Sequence, residues 1–460
     1  MKQLFIRLVA GGLVLAVVSC NPGYVNHPEN KLNVSPEARA TNQNLQTESF
    51  LMPVLAQTVE DRPRAKFVPH ARLSNNGYFV GLAISGGGSR SANFAAACMF
   101  QLQRIGLLQY VQCISAVSGG TVVATYYCSH PDSDWNPQNV QQKLAYEFET
   151  TVVDRLLLLP WNLVGLLIGT VNRSEMLAEE FDSQLFSRNG RSLTFADLRP
   201  DRPRLLINCT DTQSGRTFLF DNSTFDLINS NLDRYPLANA VTASSAIPAL
   251  LEPITLRDFS TTYKQYEHLV DGGVVDNLGV QMLVNSYAAE TQTASNPYPN
   301  GAILVVIDSG TPSNSKIGSK PRLGGVENLL AGLSLSSSVL LNRTGNATLS
   351  DALVQNSLGT YTTDQLRWFI DRLHNDHYVE IKDRGGRLVR VAHLSLAQVG
   401  ELSNLNFGNS VNAISTSYDI SPADAYNLYR AAEILFQARF DGRLRPLVSE
   451  LKAHAGSNLK

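Results

Sequence analysis

The chain has little charge with which to hold a polyanion. Only 17% of its 460 residues are Asp, Glu, Lys or Arg, the formal net charge is −2, and no long basic run occurs. That balance gives no reason to expect nucleic acid as a partner and points to apolar recognition. Cysteine is scarce, with five in all and no C-x-x-C pair. Cys98, Cys113, Cys128 and Cys209 each lie in an apolar segment and read as small buried thiols. Histidine offers no convincing metal set either. His374 and His377 in the run HNDH read as a solvated helix end, since two ligands fall short of a site. No metal or cofactor is expected. No apolar run approaches the ~20 residues that a membrane-spanning helix needs, and no repeat or low-complexity array interrupts the chain.

The N-terminus carries more information. Residues 1–19 combine Lys2 and Arg7 with an apolar run from Leu8 to Val18 and a small residue at Ser19, the make-up of a secretory signal. The run VVSC resembles the lipobox of bacterial lipoproteins, which would make Cys20 the lipidated first residue of the mature chain. Asn21 is not the aspartate that favours inner-membrane retention, so an outer-membrane anchor in the bacterial cell envelope is expected. Residues 20–70 are rich in Asn, Pro, Gln and Glu without periodicity and read as a flexible tether. Without the leader, 460 − 19 = 441 residues remain, enough for a large core.

Order begins with YFVGLAIS at Tyr78, a buried strand by length and composition. The run GGGSRSANFAAACMFQLQRIGLL follows at once, giving strand, glycine loop and helix. Gly86, Gly87 and Gly88 let consecutive N–H groups converge at a helix N-terminus, which suits an anion. The loop lacks the lysine and Ser/Thr of a nucleotide-binding P-loop. A second such unit is ISAVSGGTVVA, residues 114–124. Here Ser118 sits between strand and helix as in a nucleophile elbow, with Gly120 at the second small position and Ala116 where the first glycine is expected. Downstream, HLVDGGVVDNLG places Asp271 before Gly272 and Gly273. Asp276 reads as a helix N-terminal residue, and Asn277 as a brace for the loop carrying Asp271. Strand patterns recur at RLLINCTD, RTFLFDN and AILVVIDSG. Their alternation with helices predicts an α/β fold with a three-layer core.

The runs SGGGSR, AVSGG, TASSAIP and DGGVVDNLG, in that order, resemble the patatin-like phospholipase family from about Tyr78 to Gly279. The resemblance implies a three-layer α/β/α patatin-like core with a mainly parallel central sheet. It makes Ser118 the nucleophile, Asp271 its base, and the backbone of Gly86, Gly87 and Gly88 an oxyanion hole. Arg90 matches the basic residue of the family's glycine loop, although Ser91 stands where glycine often follows. The implied activity is hydrolysis of phospholipid or other lipid esters through an acyl-enzyme. A rival Ser-His-Asp triad would draw on His374, His377 or His393, all of which follow Asp271. Rival functions are an esterase or thioesterase acting on soluble acyl substrates, and a catalytically weak surface lipoprotein with an interaction role.

The domain reading is thus a leader at 1–19, a tether at 20–70, a catalytic core at 71–310 and a C-terminal extension at 311–460 packed on the core. The apolar stretch from Leu156 to Ile168 reads as a buried helix or as a lipid-facing cap. The extension is expected to be mainly helical, with strand-like runs at YVEIKD and RLVRVAHL and a final helix over ADAYNLYRAAEILFQARF.

Overall fold

A computed structural model describes Asn26 and residues 76–158, 172–248, 250–261, 265–291, 296–310, 372–373 and 375–457. The expected leader, Cys20, the tether other than Asn26, the apolar stretch from residue 159, the segment 311–371 and His374 lie outside the described residues.

The chain opens with β1 (Tyr78–Ile84), α1 (Gly88–Ile105), β2 (Cys113–Val117) and α2 (Gly119–Ser129). Helices α3 (Pro137–Leu144), α4 (Phe148–Leu158) and α5 (Arg173–Phe181) follow, then a small hairpin of β3 (Ser187–Arg188) and β4 (Arg191–Ser192). Next come β5 (Arg204–Asp211), β6 (Arg216–Phe220), α6 (Asn222–Leu227), α7 (Leu237–Ser245), β7 (Ile254–Asp258) and β8 (Gln265–Asp271). The short α8 (Gly273–Asp276), α9 (Val280–Thr291) and β9 (Gly301–Asp308) complete the expected core. Beyond it lie β10 (Tyr378–Lys382), β11 (Leu388–Ser395), α10 (Val399–Leu402), α11 (Leu405–Asn412), α12 (Pro422–Leu435) and α13 (Asp441–Ser457).

One sheet runs in the order β10-β11-β9-β1-β2-β5-β8-β7, with β6 paired to β5. The five strands from β11 to β5 are parallel neighbours, and the antiparallel pairs lie at the two flanks. Side chains of β1 alternate between two apolar clusters: Tyr78, Val80, Leu82 and Ile84 enter one, and Phe79 and Ala83 the other. In β9, Ile303, Val305 and Ile307 join the first cluster, and Ala302, Leu304 and Val306 the second. Near-continuous apolar composition follows from burial on both faces. Helices α1, α2, α7, α12 and α13 supply the first cluster, and α9 supplies Leu283, Val284 and Tyr287 to the second. The result is the expected three-layer α/β core, a mostly parallel mixed sheet between helical layers with C-terminal helices added.

Two features go beyond the sequence reading. The segment after residue 310 does more than pack on the core, because β11 pairs in parallel with β9 and β10 extends the sheet. The tether, in turn, is bound to the body at Asn26. Its side-chain amide donates to the Arg257 carbonyl at 2.8 Å and to Ser230 Oγ at 3.1 Å, and its Oδ1 accepts from the Arg257 N–H at 2.9 Å. β7 is the last strand of its flank, so its outward peptide groups need such partners. Cys98, Cys113, Cys128 and Cys209 are buried free thiols, as read. Among the described residues, no helix is long and apolar enough to cross a membrane.

Candidate active site

β1 and β2 both end at the carboxyl edge of the sheet, where α/β folds place ligands. Ser118 occupies the turn from β2 into α2 with φ 49° and ψ −126°, a conformation that costs a non-glycine residue ~1–3 kcal/mol. The surroundings impose it. The Ser118 N–H donates to Ser244 Oγ at 2.9 Å, and that hydroxyl donates onward to the Asn208 carbonyl at 2.6 Å. Asn208 in turn donates through Nδ2 to Ser115 Oγ and the Ala116 carbonyl, both at 2.9 Å. The flanking glycines permit close backbone approach. A Cβ on Gly119 would lie 2.0 Å from the Gly88 carbonyl oxygen, and one on Gly120 would lie 2.6 Å from that of Ser85. Ala116 is fully buried within β2, where a small side chain serves as well as glycine.

Asp271 ends β8 opposite Cys209 of β5, which carries it to the serine. Its N–H donates to the Ala246 carbonyl at 2.9 Å, and its Oδ1 accepts from the Gly273 N–H at 2.7 Å. Burial pushes the carboxyl pKa up to about 6, against the opposing pull of the Gly273 N–H and the Ser118 hydroxyl. Oδ2 is buried and makes no full hydrogen bond, while the Ser118 hydroxyl is near enough to favour the ionised form. Gly272 serves packing more than access: a Cβ there would stand 2.2 Å from the Asn208 carbonyl oxygen. Asp276 is structural, accepting from the N–H groups of Leu278, Gly279 and Gln281 at 2.8–3.1 Å where α9 begins. Asn277 braces the glycine loop through its carbonyl, which accepts from the Gly86 N–H at 2.9 Å.

That bond divides the expected oxyanion trio. With the Gly86 N–H committed, the N–H groups of Gly87 and Gly88 remain without an acceptor among the described residues. Both take positive φ, 140° and 60°, and stand at the start of α1, where the helix dipole favours negative charge. A Cβ on Gly86 would lie 3.2 Å from Ser118 Cβ, so loop and elbow touch. Arg90 points elsewhere. Its buried guanidinium donates to the Ile414 carbonyl at 2.8 Å, and burial lowers its pKa to about 10 despite the charge of Asp308. His393 stands 3.2 Å from Asp308 Oδ2, and no described histidine is bonded to Ser118 or Asp271. Among the described residues, no three His, Cys, Asp or Glu side chains converge on a metal position.

Two further residues adjoin Ser118, of which Tyr418 escapes the sequence reading. Ser244 lies in the TASSAIP run and holds the elbow in place. Tyr418 comes from between α11 and α12 and brings its Oη to 3.1 Å from Ser118 Oγ. Nothing in the run STSYDIS marks it. Ser118, Asp271 and Tyr418 are 2%, 1% and 4% exposed, so the site is closed at rest.

The span from within β1 to within α9, residues 82–284, matches the Patatin family, described as patatin-like phospholipase. The match covers 284 − 82 + 1 = 203 of the 460 residues. Similar solved structures include human GIVD cytosolic phospholipase A2 in complex with methyl gamma-linolenyl fluorophosphonate. It is 14% identical, with a TM-score of 0.44, covering 94% of this chain and 66% of that one. VipD from Legionella pneumophila is 14% identical, with a TM-score of 0.31, covering 79% of this chain and 67% of the other. No curated protein matches the chain. The patatin-like domain spans Ser118, Asp271 and the glycine loop; Tyr418 lies outside it.

Proposed function

We propose that the chain is a membrane-tethered serine hydrolase that cuts carboxylic ester bonds of phospholipids or related membrane lipids through a Ser118–Asp271 dyad. The observation carrying this reading is a strained serine beside a buried carboxyl whose pKa is raised to about 6. Asp271 removes the Ser118 proton as Oγ attacks the ester carbonyl carbon. The carbonyl oxygen becomes an oxyanion and accepts from the Gly87 and Gly88 N–H groups. Collapse breaks the bond to the alcohol, which leaves with the proton held by Asp271. Water then attacks the acyl-enzyme, gives its proton to Asp271, and releases the fatty acid as Ser118 recovers its own. Loss of one oxyanion donor in such a scheme costs ~3–4 kcal/mol of barrier. A carboxylate suits both steps when its pKa is near the working pH.

The leader and the VVSC run support acylation of Cys20 and residence at the outer membrane of the bacterial envelope. A fluorophosphonate offered to the purified chain tests the chemistry. It is expected to modify Ser118 and to leave Ser118→Ala unlabelled; labelling that persists in that variant sinks the assignment. Radiolabelled palmitate tests the anchor, with incorporation expected in the wild type and absent from Cys20→Ala.

A further inference from the structure

The Ser417–Tyr418 dipeptide meets both halves of the site. Its first residue lies on the glycine loop: the Ser417 carbonyl accepts from the Ser89 N–H at 2.7 Å, and a Cβ on Gly88 would stand 2.2 Å from that same oxygen. Its second residue places a phenol 3.1 Å from Ser118 Oγ. An attacking serine needs the ester carbon about 3–3.5 Å away, which is the shell this phenol fills. Burial and the nearby Asp271 raise the pKa of Tyr418, so it stays protonated and does not compete as a base.

The Tyr418 ring is buried edge-on against Phe181, with ring centroids 5.6 Å apart, whereas the backbone around it is held by polar, partly exposed contacts. The Tyr418 N–H donates to Glu149 Oε2 at 3.2 Å, and its carbonyl accepts from the Phe148 N–H at 3.3 Å. Asp419 accepts from the N–H groups of Glu149 and Thr150 at 2.8 and 3.0 Å and from Thr150 Oγ1 at 2.6 Å, capping α4. Water can replace such contacts, whereas the apolar core beneath cannot open. Withdrawal of the dipeptide thus exchanges its backbone bonds for water and costs chiefly the apolar burial of the Tyr418 ring.

Building on Ser118 as the nucleophile, we infer that Tyr418 decides which esters reach it. The phenol holds the position a scissile carbonyl must take, and turnover requires Ser417–Tyr418 to withdraw. Long-chain lipids, with apolar surface to bury as the segment leaves, supply the free energy for that displacement. Small soluble esters do not.

The full chain tests this as wild type, Tyr418→Ala, Tyr418→Phe and Asp419→Ala. Three readings are taken: the rate of fluorophosphonate labelling, kcat/KM for a short-chain nitrophenyl ester, and hydrolysis of phosphatidylglycerol vesicles. Labelling follows the open fraction, so Tyr418→Ala is expected to raise it and the short-ester kcat/KM by about tenfold. The ratio of vesicle to short-ester activity should fall accordingly. Tyr418→Phe, which keeps the ring, should gain less. Asp419→Ala loosens the segment without touching the site and should gain as well, which keeps the test sound if Tyr418→Ala fails to fold. Slower labelling in both Tyr418 variants, with none gained in Asp419→Ala, would make the phenol a donor to the reacting atoms and overturn the inference; unchanged rates throughout would also overturn it. Absence of labelling in every folded protein, wild type included, would instead remove Ser118 as the nucleophile.

Discussion

As the proposed base, Asp271 would carry a conflict between stability and chemistry. Its folded pKa of about 6 lies above the ordinary carboxyl value because burial disfavours the charge. The folded chain thus keeps a proton in a pH range where the unfolded chain has released it. The associated stability is complete below the unfolded pKa of ~3.9 and is lost as pH rises through about 6, reaching on the order of 3 kcal/mol at neutral pH. Asp271→Asn removes the ionisation and keeps an acceptor for the Gly273 N–H. It is expected to be inactive yet more stable than the wild type in urea at pH 7, with the gain gone at pH 4. Equal stability at both pH values would show that the carboxylate is better solvated than its burial implies. In the wild type, kcat/KM for a soluble ester should climb through about pH 6 and then level off, because only the ionised form can accept the serine proton.

At the scale of elements, the elbow and the base strand are joined by backbones so close that glycine alone fits between them. Gly272→Ala would drive a Cβ into the Asn208 carbonyl oxygen at 2.2 Å, and strand β8 cannot retreat without moving Asp271. A loss of about 1–3 kcal/mol is expected, together with slower fluorophosphonate labelling. Gly442, in α13 with no neighbour within 4 Å, is the contrasting site. There, Gly→Ala should stabilise by about 0.5–1 kcal/mol and leave labelling unchanged. A thermal melt of the two variants separates crowding from simple chain entropy. The contrast also shows why this part of the site was legible in sequence. A strand, a glycine and the proposed reacting residue sit within a few positions of one another, so the local run records the local geometry. Tyr418 was not legible, because its contact with Ser118 spans 300 residues and depends on how the segment after β11 packs. The same holds for β10 and β11: YVEIKD and RLVRVAHL show strand composition, but membership in the sheet is decided by the pairing of β11 with β9, to which β10 is added through β11. The commitment of the Gly86 N–H to Asn277 is another long-range bond that the run SGGGSR does not record.

At the scale of the whole molecule, the Asn26 contact would limit how the body can turn relative to its proposed anchor. From Cys20 to Asn26 there are 26 − 20 = 6 peptide steps, a reach of at most roughly 21 Å. The dock for Asn26 is Arg257, which pairs with Tyr266. Ser118 follows the Val117–Asn208 pair, Leu269 pairs with Asp211 further along β5, and Tyr266 lies further out still. The β7–β8 ribbon thus projects past the carboxyl edge on the side where Ser118 stands. An acylated Cys20 would turn that side toward the bilayer and leave α13, whose Glu450 accepts from the Tyr78 hydroxyl at the start of β1, on the far side. A fluorophore at exposed Gln265→Cys should therefore be quenched by labelled phosphatidylethanolamine headgroups when the acylated chain is bound to vesicles. The same probe at exposed Lys452→Cys should not. Asn26→Leu removes the docking bonds and should narrow the difference between the two probes. Equal quenching at both positions in an otherwise native, vesicle-bound chain would mean that the Asn26 contact does not set the orientation. Failure to bind vesicles at all would count against Cys20 as the anchor.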